Sequence, residues 1–82
     1  MSAARAEDLR LEVQQILERA PDRPLCDVCL AYMVVGRPIT VASFTADLAR
    51  KRHDVLRRVE ECAGCLRRKV VTVLRPAAPP AC

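Results

Sequence analysis

Apolar residues recur at helical spacing over the first twenty residues of the chain, between Arg, Glu and Gln side chains. Four of them lie at i, i+4, i+7 and i+8: Leu9, Val13, Ile16 and Leu17. The pattern predicts an amphipathic helix over 3–20, which Pro21 and Pro24 end. Its apolar stripe packs either on the chain's own core or on the same helix of a second chain, in a homodimer through 3–20. About two heptads are too few for a self-sufficient coiled coil.

Two further helices are predicted in the middle of the chain. The first runs from Leu25 to Val35, and Gly36 fits the left-handed position that ends many helices. Thr40 then caps a second helix that extends to Lys51. Two helices joined by a short turn that contains glycine predict a helix-turn-helix over 25–51.

The last third of the chain has a mixed pattern. Residues 53–61 fit either a continued helix or a strand, and we favour a strand. The run from Lys69 to Leu74 is rich in β-branched residues, and Gly64 between the two segments can adopt a positive φ in a turn. The sequence therefore predicts a β-hairpin over 54–74, within a single domain of residues 1–75. The proline-rich tail 76–82 is predicted to be disordered.

Length and composition narrow the class of protein. A chain of 82 residues buries a small core, so a covalent or metal cross-link is expected to stabilise it. One Tyr, one Phe and no Trp argue against stacking on single-stranded nucleic acid. The sequence has no 18-residue apolar run and starts with a charged segment, so we expect no membrane association. A cytoplasmic location is predicted, where thiols stay reduced.

Two pairs of cysteines share the spacing C-x-x-C and are separated by 32 residues. The pairs are Cys26 with Cys29 and Cys62 with Cys65. Four thiolates complete the tetrahedral shell of one Zn²⁺ ion and leave no open position for catalysis, so the sequence predicts one structural zinc site. Disulfides, a redox dithiol, a catalytic metal and an iron–sulfur cluster are the alternatives. Cys82 is predicted to be a spare thiol.

The formal charge of +4 is unevenly distributed. Residues 1–25 carry four Arg and five acids, whereas residues 26–82 carry ten Lys or Arg and five acids. The segment with the cysteines is therefore the basic one. A zinc ion bound by four thiolates adds about −2, which offsets part of this charge.

The predicted order of a helix, a helix-turn-helix and a β-hairpin resembles the winged helix-turn-helix DNA-binding domains over about residues 3–74. The resemblance implies an α+β fold of three helices followed by a hairpin wing, here clamped by the Cys₄ zinc site. This sequence departs from the family in two ways. No strand is evident before the second helix, and the helix 40–51 lacks the Asn, Gln and multiple Arg that commonly contact bases.

By this resemblance the protein is a small transcriptional regulator that binds double-stranded DNA, with helix 40–51 in the major groove and the hairpin on phosphates or the minor groove. The residues assigned to DNA are Ser43, Arg50, Lys51, Arg52, Arg57, Arg58, Arg67, Arg68 and Lys69. Residues 67–69 can instead neutralise the zinc–thiolate unit, and residues 50–52 can offset a helix dipole. The alternative function is a zinc-stabilised adaptor that docks on a protein partner through the N-terminal helix. The sequence has no catalytic motif, so we predict that the protein is not an enzyme.

Overall fold

The computed structural model describes residues 2–75, and it describes side chains from residue 7 onward. It is an α+β fold with three helices and a three-stranded antiparallel sheet. Its elements, in chain order, are α1 (Ser2–Arg19), β1 (Leu25–Cys26), α2 (Asp27–Val34), α3 (Pro38–Lys51), β2 (Val55–Glu61) and β3 (Arg68–Leu74). The predicted tail 76–82, with Cys82, lies outside the described residues.

The sheet has the order β1-β3-β2, so β3 is its central strand. Thr72 of β3 lies opposite Leu25 on one side and Arg57 on the other. The β2–β3 hairpin confirms the predicted strands and decides the assignment of 53–61 in favour of a strand. β1 is only two residues long, which is too short to produce a recognisable alternation of apolar and polar residues in the sequence.

The helices cover the sheet through a continuous aliphatic core. Val13 and Leu17 of α1 are each only 1% exposed, and Leu9 and Ile16 pack beside them. The four residues of the apolar stripe therefore pack against the chain's own core, the first of the two alternatives for this helix. Arg10 of α1 lies over the ring of Phe44, 4.8 Å from its centroid, and fixes α1 to α3.

The second helix starts two residues later than the sequence indicates. Leu25 and Cys26 form β1 because they pair with Thr72 and Val71 of β3. Cys26 then takes the N-cap position of α2, where its Sγ accepts a hydrogen bond from the Cys29 N–H at 3.5 Å. The prediction that Cys26 lies in the first helical turn was wrong, because strand pairing takes that residue.

The turn between α2 and α3 spans residues 35–37, and the two helix axes differ by 110°. The left-handed residue is Val35, with φ of 54°, and not Gly36 as predicted. The Gly36 N–H still closes the helix end by donating to the Ala31 carbonyl at 2.8 Å. α3 begins at Pro38 with Arg37 as its N-cap, so the predicted cap Thr40 lies inside the helix. Proline suits the first helical turn, because N–H groups there have no acceptor within the helix and the missing N–H of proline costs no hydrogen bond.

In the part of the chain that the structure describes, no single helix has the length and apolarity needed to span a membrane. α2 and α3 satisfy that test only when they are taken together, across the 110° bend.

A partly buried ion pair joins the helices to the hairpin. Arg57 of β2 donates from Nη1 and Nη2 to the two carboxylate oxygens of Asp27 at 2.9 and 3.1 Å. Its Nη1 also contacts the hydroxyls of Thr45 in α3 and Thr72 in β3. The two charged side chains are 21% and 19% exposed. A bidentate pair in this setting fixes the relative position of α2, α3, β2 and β3.

Replacing Val35 with glycine is expected to stabilise the fold by about 1 kcal/mol. The left-handed backbone is costly for a residue with a Cβ, most of all a β-branched one, and glycine removes that cost. Val35 is 80% exposed, so the replacement loses little burial. Chemical denaturation of the metal-loaded protein measures the difference. Val35→Ala is the matched control, because it removes the same methyl groups and keeps the Cβ. Equal stability of the two variants would contradict backbone strain as the cause.

Candidate metal centre

The four cysteines come from two places that are distant in the sequence. Cys26 ends β1, Cys29 lies in the first turn of α2, and Cys62 and Cys65 lie in the turn of the β2–β3 hairpin. A backbone hydrogen bond fixes the hairpin turn to the segment before β1, because the Ala63 N–H donates to the Pro24 carbonyl at 2.8 Å. All four Sγ atoms lie within 4.8 Å of one another. The structure thus brings together the complete ligand set that the sequence predicted.

The spacing of the sulfurs fits one tetrahedral ion. A shell of four thiolates at the Zn–S distance of about 2.3 Å has sulfurs about 3.8 Å apart. The Sγ atoms of Cys29 and Cys62 are 3.6 Å apart, and those of Cys26 and Cys65 are 3.9 Å apart. These separations are too long for disulfide bonds, and all four thiols are free. The cluster can hold one metal ion, which would join β1 and α2 to the hairpin turn.

Backbone N–H groups point at the sulfurs. Cys62 Sγ accepts from the N–H groups of Cys26 and Gly64, both at 3.3 Å. Cys26 Sγ accepts from the N–H of Cys29. Hydrogen bonds of this kind favour a thiolate over a thiol, because the charged sulfur is the stronger acceptor.

The thiols of Cys29 and Cys62 have opposite pKa shifts. Burial and the neighbouring cysteine side chains raise the pKa of Cys29 to about 12. Burial also disfavours the Cys62 thiolate, yet hydrogen bonds from the backbone of Cys65, Cys26 and Gly64 outweigh it and lower the pKa of Cys62 to about 6. Four thiolates this close to one another need a compensating cation, because like charges at such distances repel strongly. A divalent metal ion held by the four sulfurs would supply it.

Gly64 is required by space and not by its φ angle. A Cβ at this position would lie 2.9 Å from Cys29 Sγ and 3.3 Å from Cys29 Cβ. The positive φ expected at Gly64 occurs two residues later, at Leu66, with φ of 63°. The absence of a side chain at residue 64 therefore lets the hairpin turn approach the first cysteine pair. The sequence signal for this was the glycine inside the second C-x-x-C.

The nine residues assigned to DNA fall into two groups in the structure. Five have ion-pair partners in the chain: Arg50 and Lys51 with Asp47, Arg52 with Glu18 and Asp54, Arg57 with Asp27, and Arg58 with Glu60. Arg67 and Arg68 are exposed, Lys69 is half-buried, and none of the three forms an ion pair within the described side chains. Ser43 is exposed on α3.

The ionic contacts that the sequence interpretation missed include those of two residues assigned to DNA, Arg52 and Arg57. Arg52 binds Asp54 through a pair of hydrogen bonds at 3.0 and 2.8 Å and reaches Glu18 of α1 at 2.9 Å. The guanidinium holds the pKa of the Glu18 carboxyl below its ordinary value, as it does for Asp54. Arg57 likewise binds Asp27 through a pair of hydrogen bonds. The partners lie 34 residues apart for Arg52–Glu18 and 30 for Arg57–Asp27, so no local pattern could identify them.

Comparison of this chain with known protein families, with curated proteins and with solved structures finds no match.

The close approach at Gly64 yields a direct test of the centre. Gly64→Ala is expected to weaken metal binding about tenfold or more, because the new methyl group displaces Cys29 Sγ, and changes around ligands typically cost 10- to 100-fold. Competition with a chromogenic chelator measures the affinity. Gly36→Ala is the control, since its Cβ would meet Val34 at an ordinary 3.4 Å and its φ is not positive. Equal metal affinities for the two variants would contradict the geometry described here.

Proposed function

We propose that the protein is a zinc-stabilised DNA-binding protein, a small non-enzymatic transcriptional regulator of the winged helix-turn-helix type. The observation that carries the proposal is the arrangement of α2 and α3, followed by a hairpin with three consecutive cations where the turn meets β3: Arg67, Arg68 and Lys69.

A single structural Zn²⁺ is the metal that best suits the centre. Soft thiolates select zinc over harder divalent cations, and four cysteine ligands complete a tetrahedral shell. The N–H groups directed at Cys62 and Cys26 favour the thiolate form that zinc requires. Such a site contributes folding free energy and performs no chemistry on a substrate. A cytoplasmic location suits it, because free thiols persist in a reducing compartment.

The order and pairing of the elements support the winged helix assignment. β1 lies before α2, at the position where the family usually has a strand. Helix-turn-helix motifs join two helices at about 90–120° by a turn of three or four residues. α2 and α3 differ by 110° and are joined by residues 35–37. By the same resemblance α3 is the helix that enters the major groove and the β2–β3 hairpin is the wing.

The proposed DNA surface combines the exposed side of α3 with the hairpin turn. Ser43 and Arg50 are exposed on α3, and Lys51 extends beside Arg50 at its C-terminal end. Arg67, Arg68 and Lys69 add three cations without carboxylate partners among the described side chains. These cations can release counterions from the DNA backbone, so affinity depends steeply on salt. α3 lacks the Asn, Gln and multiple Arg that commonly contact base edges. We therefore expect its contacts to be mainly with phosphates.

Arg52 and Arg57 are left out of this surface. The guanidinium of Arg57 is bound by Asp27 and two threonine hydroxyls, and that of Arg52 by two carboxylates. Withdrawing either group to bind a phosphate would leave the partly buried carboxylate of Asp27 or Asp54 without its partner, which is costly. We assign both arginines to the stability of the fold.

The second candidate function is a zinc-stabilised adaptor for a protein partner. The sequence suggested that such an adaptor docks through the apolar stripe of α1, but Val13 and Leu17 of that stripe are buried in the core. A different apolar surface favours this candidate, because Tyr32, Val35 and Ile39 near the α2–α3 turn are about 80% exposed. Tyr32 and Val35 line one groove together with Leu9. Exposed apolar residues that adjoin one another are common at protein interfaces.

Binding of labelled random-sequence duplex DNA by the zinc-loaded protein tests the leading proposal. We expect tight binding at low salt and a steep loss of affinity as the salt concentration rises. Arg67→Ala and Arg68→Ala should each lower the slope of log K against log salt by about 1, since each removes one phosphate contact. Fluorescence anisotropy at several salt concentrations measures the slope.

Arg19→Ala is the matched control. It removes the same charge at the end of α1. This end of α1 is far from the hairpin turn, because Asp22, three residues later, bonds to Leu74 at the opposite end of β3. Its slope should equal that of the wild type. Absence of binding at low salt would reject the DNA proposal and favour the adaptor, whereas an equal loss for all three variants would indicate attraction without a defined surface.

A further inference from the structure

β2 is an outer strand of the sheet, and among residues 2–75 one of its edges has no partner strand. Within the described residues, none of the backbone hydrogen bonds outside the helices and strands involves Val55–Glu61. An open edge of seven residues presents a row of unpaired N–H and C=O groups that can pair with another strand.

The pairing of the hairpin identifies the groups that point outward. The Arg75 N–H donates to the Asp54 carbonyl at 2.7 Å, and the Cys62 N–H donates to the Arg67 carbonyl at 2.8 Å. Both bonds fit the register of β2 with β3, in which hydrogen-bonded and non-hydrogen-bonded pairs alternate. Even-numbered residues of β2 therefore bond to β3. The backbone groups of Val55, Arg57, Val59 and Glu61 point away from the sheet.

The charges on this strand are arranged symmetrically about Val59. The sequence Arg57-Arg58-Val59-Glu60-Glu61 places two cations before the valine and two anions after it. When such a strand meets a copy of itself in antiparallel orientation, every cation faces an anion. We propose that two copies of this chain associate through β2 in a two-fold symmetric antiparallel pair centred on Val59, which joins two three-stranded sheets into one sheet of six strands.

Only one register satisfies both the backbone and the charges. With Val59 opposite its own copy, Arg57 and Val59 are both in outward-facing, hydrogen-bonded pairs, and Arg58 faces Glu60 of the second copy. The smallest shift that keeps outward groups matched is two residues. One direction of that shift puts Arg58 opposite Arg58, and the other puts Glu60 opposite Glu60. Like charges directly opposite one another in a sheet are destabilising.

Apolar side chains support the same register. Val59 lies opposite Val70 of β3, and the two are 53% and 45% exposed although they are β-branched and neighbours on the sheet. Pairing through β2 places Val59 beside Val59 of the second copy, with Val70 of each chain on the outer side of its own Val59. The result is a row of four valines across the new sheet, which removes apolar surface from water. Arg57 is opposite Glu61 of the copy in this register, but its guanidinium stays with Asp27. The charge complementarity across the contact therefore comes from Arg58 and Glu60.

Arg58 and Glu60 already interact within one chain, and each can bind its counterpart in the second copy instead. Arg58 Nε lies 3.0 Å from Glu60 within one chain, and Arg75 Nη1 lies 3.2 Å from the same carboxylate. A carboxylate accepts several hydrogen bonds, so Glu60 can keep Arg75 and also accept from the second copy's strand. The interface is separate from α1 and does not depend on the DNA-binding proposal.

Charge reversal with mixing tests the proposal. Sedimentation equilibrium of the zinc-loaded chain over a dilution series should show reversible dimers. Arg58→Glu and Glu60→Arg, each alone, should weaken dimerisation about tenfold or more, because each makes two symmetry-related pairs like-charged. Mixing the two variants should restore the dimer as a heterodimer, since the strand of one is then cationic and the strand of the other anionic at these positions. Fluorescence energy transfer between labelled variants detects it.

The mixing step separates association from folding. Each variant has a like-charged pair within its own chain, and mixing does not remove that pair. If the variants failed to dimerise because they were less stable, mixing would not restore the dimer. Val59→Lys, at the two-fold axis, should also abolish the dimer and should not be rescued by either variant. Wild-type protein that stays monomeric over the dilution series would overturn the proposal, as would failure of the mixture to recover the dimer.

Discussion

The four-cysteine cluster is the constraint on which the rest of the structure depends. It joins the end of β1 and the start of α2 to the turn of a hairpin more than 30 residues later. The chain is short, and its core is aliphatic and small, so burial alone supplies limited stability. A structural zinc ion in such a domain contributes on the order of 10 kcal/mol of apparent folding free energy at neutral pH. A metal ion held by the four cysteines would therefore be a cross-link between segments that a small core holds only weakly.

A second, ionic cross-link lies on the other side of α2. Arg57 and Asp27 tie the hairpin to the first turn of α2, and Thr45 brings α3 into the same network. The metal centre and this ion pair together fix the hairpin relative to α3. That fixed relationship is what a surface made of one helix and a hairpin turn requires, whether its partner is DNA or a protein. It also explains why Arg57, a cation on the proposed wing, serves the fold and not the surface.

The sequence revealed the features that follow local rules. Cysteine spacing identified the complete ligand set, and periodicity identified α1, the two central helices and the hairpin. It failed where tertiary contacts decide. β1 exists only because two residues pair with β3, and the left-handed position falls on Val35 and not on Gly36 because the helix ends one residue earlier than expected. Glu18, which binds Arg52, and Asp27, which binds Arg57, lie 34 and 30 residues from those arginines, so no pattern of neighbouring residues can identify them.

The most direct test of this account removes the metal. The Cys82→Ser chain, which keeps only the four clustered cysteines, is loaded with zinc and its metal content and amide NMR spectrum are measured. A chelator is then added, followed by excess zinc. The account predicts one Zn²⁺ per chain, loss of the dispersed amide signals on chelation and their return with zinc. A spectrum that stays dispersed without metal, or a chain that binds no zinc, would contradict the claim that the metal centre holds this fold together.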